Sequence, residues 1–478
     1  MRKVILATSA AMIATPSWAA GGAVSATSAL QPAAAAIVSD AASSAAEAQP
    51  LTEAERQQAI QELQDLRSRM TALEQRLGVT PPPPTQYTPE APKRAKDHNL
   101  ELYGFVQLDA IQDFKRVNPN WDATLRPSRI PTDKGAFGGN GQSVFSVRQS
   151  RLGAKATGTL AGKPYEAKFE FDLYGTGVDE GQTTFRVRHM YAKWGPLLIG
   201  QTNTLWMDGD IFPNVLDYWG PNGMVFVRTP QIRYTFVDSG GWRAAVALEH
   251  PSDDIDAGNL RLIDPDIASS IQANEELPDL TAMVRYGGDW GHVQVAGILR
   301  KVGFETKGTD DNEPEGHELG WGVNLTGSAK LGIATPRLGI VYGRGIATYM
   351  NDGGMDMAPS VSTVFGPGTI ILVPEARTVK QLGVSAYVDF QWSKQWSSAI
   401  GYSFTEVDNT NFQEETAFHR GDYASANVIY APADNVLAGL EILWGKRTDN
   451  DGNEGTDTRM QASFKWSFTS NNIWDWFD

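Results

Sequence analysis

From about residue 100 onward, the chain is built of stretches that alternate strictly between apolar and polar positions. In Lys380–Trp392, Leu382, Val384, Ala386, Val388 and Phe390 alternate with Gln381, Gly383, Ser385, Tyr387 and Asp389. A period of two marks a β-strand with one apolar and one wet face. Many stretches run to about ten residues, longer than the roughly five or six of a soluble sheet and about what a tilted strand needs to cross a bilayer. In the last one, Met460, Ala462, Phe464, Trp466 and Phe468 face one way and Arg459, Gln461, Ser463, Lys465 and Ser467 the other, so charge is confined to one face. The pattern predicts an all-β protein, a transmembrane antiparallel β-barrel with apolar side chains toward lipid and polar ones toward a lumen.

Candidate strands fall near 100–111, 143–156, 165–174, 184–194, 197–203, 225–236, 242–250, 280–286, 292–302, 319–330, 337–348, 380–392, 396–406, 422–431, 436–446 and 458–468. That is about sixteen, an even number as bacterial barrels require. Connections alternate between short ones, such as Ser393–Gln395, and long or polar ones, such as Gln112–Gln142, Ser252–Pro278 and Asn351–Val379. This places short turns and both termini in the periplasm and the long loops outside.

The segments before the barrel have other patterns. Arg2 and Lys3, an apolar run and Ser17–Ala20 read as a signal peptide over residues 1–20, followed by an Ala/Ser-rich spacer over 21–50. Over 51–77, Leu63, Leu66, Met70, Leu73 and Leu77 are spaced as a and d positions of a short α-helical coiled coil. A Pro-rich linker over 78–98 leads to a barrel over 99–468, and residues 469–478 form a C-terminal tail. So short a coiled coil is marginal alone, which predicts a homotrimer held mainly through its barrels with the coiled coil in the periplasm.

Composition changes this picture little. The 478 residues carry a formal charge of -15, which disfavours nucleic acid as a partner, but local field rather than net charge acts on a permeating ion. Zero Cys excludes a disulfide framework and a thiolate nucleophile. No HExxH, GxSxG, P-loop or calcium-loop spacing is present, so neither catalysis nor a metal or cofactor is expected.

The candidate chemistry lies in strand charges. An Arg facing lipid at mid-bilayer costs roughly 2–4 kcal/mol, so strand arginines are expected to line the lumen. Arg186 and Arg188 share one face, opposite Phe185 and Val187, while Lys168, Glu170 and Asp172 lie on the inward face of the preceding strand as ladder partners. Arg148 and Arg151 have opposite parity, which a bulge near Gln149–Ser150 resolves by turning both inward. Arg233 and Arg243 complete the expected basic wall, and Arg285 is similar. Thr202–Gly223 holds Trp206, Ile211, Phe212, Tyr218 and Trp219 and is too apolar for a solvated loop. It is expected to fold into the lumen, with Asp208, Asp210 and Asp217 opposite the wall arginines; packing on a neighbouring subunit is the alternative. His189, on apolar parity with Tyr191, is expected at a subunit contact.

Together these residues resemble the DcaP-like family of trimeric outer-membrane porins. The matching segments are Arg148–Gly153, Glu170–Asp172, Phe185–His189, Trp194–Gly195 with Gly200–Thr202, Asp217–Asn222 and Gln231–Tyr234. The resemblance implies a Gram-negative outer-membrane location, a periplasmic trimeric coiled coil, sixteen strands per protomer and a preference for small anionic solutes such as dicarboxylates. It also implies that Arg148, Arg151, Arg186 and Arg188 furnish the basic wall. The residues after Phe468 depart from the usual ending on a final-strand aromatic. A sugar-type porin and an envelope tether using the barrel as an anchor are the competing functions.

Overall fold

The computed structural model describes residues 98–139, 141–308, 313–366 and 369–470, with residues 61 and 69. The expected signal peptide and spacer, all but residues 61 and 69 of the expected coiled coil, all but residue 98 of the expected linker, and residues 471–478 of the tail lie outside the described residues.

The strands are β1 Asn99–Asp113, β2 Gln142–Ser146, β3 Arg151–Leu160, β4 Lys163–Tyr174, β5 Thr183–Trp194, β6 Leu197–Asn203, β7 Arg228–Ser239, β8 Trp242–Glu249, β9 Ile271–Ala273 and β10 Asp279–Gly288. They continue as β11 Gly291–Thr306, β12 Gly316–Ala329, β13 Ala334–Arg344, β14 Met357–Gly366, β15 Thr369–Thr378, β16 Lys380–Gln391, β17 Trp396–Asp408, β18 Phe418–Ala433, β19 Val436–Asp449 and β20 Glu454–Thr469. All but β14 and β15 belong to one antiparallel sheet of 18 strands. β2 continues β3, since both pair with β1, and β9 continues β10, since both pair with β11. The wall therefore has sixteen staves, and β1 pairs with β20 to close it.

The two faces are inverted relative to a soluble core. Leu319, Trp321, Val323 and Leu325 of β12 are exposed while Asn324 and Thr326, on the alternate positions, are buried. In β16, Gln381 and Ser385 are buried and Ala386 is exposed. Such a surface is stable only against hydrocarbon. Connections at one end are short, such as 161–162, 195–196 and 240–241, and those at the other are long. No helix among the described residues is long and apolar enough to cross a membrane.

Across the seam, Arg459 of β20 pairs with Asp113 of β1 at 2.7 Å, both side chains fully buried. Gln461 and Ser463 donate to Asp109 Oδ1 at 3.2 and 2.6 Å.

Two register irregularities shape the wall near the site. Phe105 pairs with Arg151 and Asp109 with Ser146, so four residues of one strand, 147–150, face three of β1. The extra residue leaves Leu152 outward with Arg151 and Gly153 on the other parity. In β5, Val187 pairs with Phe171 and His189 with Glu170, leaving Arg188 as an extra residue. That bulge turns His189 inward, where Nδ1 meets Thr202 Oγ1 at 2.9 Å, and leaves Met190 exposed. The expected outward His189 is thus corrected, because strict alternation fails across a bulge.

The 351–379 connection, expected as a long external loop, contains the β14–β15 hairpin. Pro359 and Pro374 hide it in the sequence, since Pro demotes a strand reading. The 250–278 loop holds two short helices, Leu260–Ile263 and Pro265–Ser270.

Candidate functional site

The segment 204–227 leaves β6, crosses the inside of the barrel and returns to β7. Its partners lie on inward faces around most of the wall. Trp206 is fully buried and donates to Ala296 O at 3.2 Å, and Asn324 donates to Trp206 O at 2.9 Å. Farther along, Glu441 accepts from the backbone N–H groups of Leu216 and Asp217 at 2.8 and 2.7 Å. Gln149 and Gln461 both donate to Leu216 O, at 3.0 and 3.1 Å. Asn222 receives Ser403 Oγ at 2.7 Å and donates to Gly421 O at 2.8 Å. At Gly223 a Cβ would lie 2.2 Å from Phe404 O and 2.4 Å from Val384 O, so only glycine permits this approach.

The loop's acids divide by role. Asp208 is buried and bound to the wall, by His292 at 2.6 Å, Thr326 at 2.6 Å and Arg285 at 3.2 Å. Asp217, also buried, accepts from Thr124 Oγ1 at 2.8 Å, Leu125 N at 3.1 Å and Tyr423 Oη at 3.2 Å. Asp210 is exposed and pairs with Arg285. Of the three acids expected opposite wall arginines, Asp208 and Asp210 meet Arg285, whereas Asp217 pairs with no arginine among the described residues and instead holds the loop to its neighbours, because a loop buried inside a barrel needs acceptors for its own backbone and wall.

The β4–β5 ladder forms as ion pairs. Arg186 makes two hydrogen bonds to Asp172, at 3.1 and 2.7 Å. Arg188 bridges Glu170 and Asp172, each at 2.8 Å, and Lys168 lies 3.2 Å from Glu170. The loop docks on this ladder through Tyr218, whose hydroxyl donates to Asp172 at 2.7 Å and accepts from Arg188 at 2.9 Å and from Arg186. Arg186 and Arg188, expected on the basic wall beside their ladder partners, are neutralised by those acids and bonded to the loop.

Uncompensated cations stand beside them. Arg148, Arg151, Arg228, Arg233 and Lys465 have no acid within ion-pair distance among the described residues. Nε of Arg148, Arg151 and Arg228, and Nη1 of Arg148, are buried without a hydrogen-bond partner. Arg151 and Lys465 both lie over the Phe105 ring, at 5.2 and 5.4 Å. Arg228 lies within electrostatic reach of Arg186, Arg188 and Arg151 and also of Asp172, Lys465 within reach of Arg151 and also of Asp109, and Arg151 within reach of Glu170 and Asp172, though none of these acids is in ion-pair contact with them. Arg233 instead donates to Gln231 Oε1 at 2.9 Å and Asn203 O at 2.6 Å. Lys465 stands on β20, Arg148 and Arg151 on the β2–β3 stave, and Arg228 and Arg233 on β7, with β4, β5 and β6 between the last two staves.

Arg243 is corrected as a mid-lumen residue. It adjoins the 240–241 turn, is 52% exposed and pairs with Asp238 at 3.1 Å, which puts it at the rim. Arg228 and Lys465 are the site residues the sequence reading did not single out. Lys465 has inward parity in β20 and was visible in the pattern. Arg228 shares the parity of the exposed Pro230 and Ile232 and reaches inward only because it is the first residue after the in-folded loop. Lumenal aromatics also exist, but they are used in packing. Tyr174 and Tyr218 stack at 4.0 Å, and Arg126 lies between Trp121 and Trp219 at 4.1 and 4.3 Å.

A family model described as the DcaP outer membrane protein matches residues 56–350. Among solved structures, the outer membrane channel DcaP of Acinetobacter baumannii aligns with a TM-score of 0.61 and 20% identity, covering 79% of this chain and 99% of that one. The anion-selective porin from Comamonas acidovorans aligns with a TM-score of 0.48 and 12% identity over 78% of this chain and 100% of that one. No curated protein matches the sequence. A closed sixteen-stave barrel with a lipid-facing apolar surface and a polar lumen accords with that family, and the chain belongs to the DcaP outer membrane protein family, as an outer-membrane channel of the porin fold.

Proposed function

We propose that the protein is a passive porin for small hydrophilic solutes with a preference for anions such as dicarboxylates. The supporting observation is the sector formed by Arg148, Arg151, Arg228, Arg233 and Lys465, cations without acid partners beside the loop that narrows the lumen. Positive potential on one side of a narrow, partly dry passage raises the local concentration and residence of anions. Reversal potentials of the purified protein in planar bilayers under a salt gradient test this; anion preference is expected, and cation preference rejects the reading. Current block by a panel of dicarboxylates, aromatic acids, phosphate and maltodextrins then identifies the solute class.

The working unit in this reading is a homotrimer joined through the barrels. On the outer face, Leu100, Ala156, Ala167, Ala192 and Ile199 are direct neighbours across β1, β3, β4, β5 and β6. They line a depression of about 520 Å³ with Ala154, Phe169 and Met190. Small residues let two barrels approach closely where neighbouring faces carry Leu, Val and Trp. Ala167→Trp is expected to convert trimers on mild native gels to monomers while the monomer keeps its heat-dependent gel shift. Intact trimers would place the contact elsewhere.

A further inference from the structure

Above the constriction, the chain between β13 and β14 forms a clamp on the in-folded loop. Val225 and Met350 make an antiparallel bridge, flanked by Phe226 N donating to Tyr349 O at 2.9 Å and Asn351 N donating to Met224 O at 2.8 Å. The Asn351 side chain donates to the carbonyls of Trp219 and Pro221, each at 2.8 Å, and Trp219 Nε1 donates back to Asn351 O at 2.6 Å. Asp352 ties the same segment to the 114–141 loop through Arg126 at 2.9 Å.

Both ends of the clamp meet one fully buried guanidinium. Arg300 of β11 pairs with Asp253, Asp279 and Asp356 at 2.8, 2.9 and 3.0 Å. It also donates to Gly345 O at 2.7 Å and Ser252 O at 2.6 Å, so all five of its N–H groups are used. Gly345 begins the clamp at φ +63 and Asp356 ends it. Asp254 joins through its backbone, donating to Asp356 Oδ2 at 3.0 Å. Tyr349 donates to Asp279 at 2.8 Å, and Thr348 Oγ1 donates to Asp356 at 2.8 Å.

The surrounding charges do not balance the cluster. Glu275 accepts from Asp253 N at 3.2 Å and adds a further acid. Glu249 faces Tyr349, while Arg129 acts on Asp254 only at longer range. Arg261 is committed to Asp256 and Glu414, and Arg344 and Arg377 to Glu318. One guanidinium therefore serves three carboxylates in contact and a fourth beside it, in a dry site where like charges repel strongly.

We propose that this cluster is a proton-operated latch. Protons held on the Asp253 and Asp254 carboxyls keep the clamp shut on the constriction loop, and their loss releases the clamp. The inference rests on the channel reading above. Burial pushes the Asp253 carboxyl up to about 7 against the pull of Arg300, with Asp356 and Asp279 adding to the push. Burial and Asp356 likewise push Asp254 well above the usual carboxylate range, with Arg300 opposing. An acid whose pKa is higher in the latched state binds its proton more tightly there. Latched stability is therefore full near the ordinary carboxylate pKa and falls as pH rises to about 7.

Single-channel recordings of the full chain at about pH 5 and about pH 8 test the latch. Quiet, steady conductance is expected at the lower pH, with opening and closing transitions increased on the order of tenfold at the higher. Asp253→Asn with Asp254→Asn, which removes the two titrating carboxyls and leaves Arg300 paired with Asp279 and Asp356, should be quiet at both. Because the chain has no Cys, Val225→Cys with Met350→Cys supplies a single disulfide across the clamp. The oxidised pair should be quiet at both pH values and regain gating on reduction. A parent channel indifferent to pH, an Asn variant that still responds, or gating that persists with the disulfide formed would each overturn the latch. A protein that conducts nothing at any pH would overturn the channel reading instead.

Discussion

Replacing Arg151, Arg228 and Lys465 together with Gln is expected to lower the anion-to-cation permeability ratio by about tenfold or more and to weaken block by dicarboxylates. These side chains have no acid within ion-pair distance among the described residues, so their charge is not cancelled by a contact and adds to the potential along the passage. At an effective dielectric well below that of water, each contributes on the order of 1 kcal/mol to an anion at short range. The informative comparison removes a neutralised pair. Arg186→Gln with Asp172→Asn leaves the net charge unchanged, so selectivity should hold while the docking of Tyr218 weakens and current noise rises. Reversal potentials for both variants decide the matter. If the triple variant keeps its selectivity and the pair variant loses it, the ladder is the anion site and the basic sector serves packing.

The second large effect is structural. Arg300→Met leaves Asp253, Asp279 and Asp356 facing one another without their cation, in a site where Arg300 itself is fully buried. Removing one partner from a buried charge network destabilises by about 3–5 kcal/mol. The variant should unfold at lower urea in detergent, and protease should cut the 250–278 and 345–356 segments first, before the barrel wall. Arg300→Lys keeps the charge but offers three donors to five acceptors, so it should fall between Met and the parent. A Met variant with the parental midpoint would show that the three acids are satisfied without the guanidinium.

Alternation made the wall legible, because each inward or outward choice repeats every second residue and mistakes are corrected by neighbours. All sixteen staves lie near the stretches read from the sequence, and the inversion of apolar and polar faces is visible in a strand such as β16. The same rule misplaced His189, since one extra residue at Arg188 reverses every later side chain of β5. The bulge between Ser146 and Arg151 was readable only because two arginines of opposite parity cannot both face lipid. Parity on adjacent strands made Glu170 and Asp172 readable as ladder partners of Arg186 and Arg188, but not which other lumenal cations lack a partner. Parity shows that Arg151 also points inward, but whether an acid meets it depends on neighbouring register, and Arg186 is met as well by Tyr218, which arrives from a loop more than thirty residues away. The clamp was equally hidden, since Val225 and Met350 are far apart in sequence and become neighbours only once the barrel has closed.

The seam between β1 and β20 carries a consequence for biogenesis. Its inward bonds join the two ends of the barrel chain, Arg459 to Asp113 and Gln461 and Ser463 to Asp109. Asp109 and Asp113 therefore remain without these partners until the last strand has been delivered. A chain stalled or cut before β20 presents both an unpaired strand edge and two carboxylates on its prospective inner wall, which opposes premature curling of a smaller barrel. The seam bonds thus form only in a chain that carries β20.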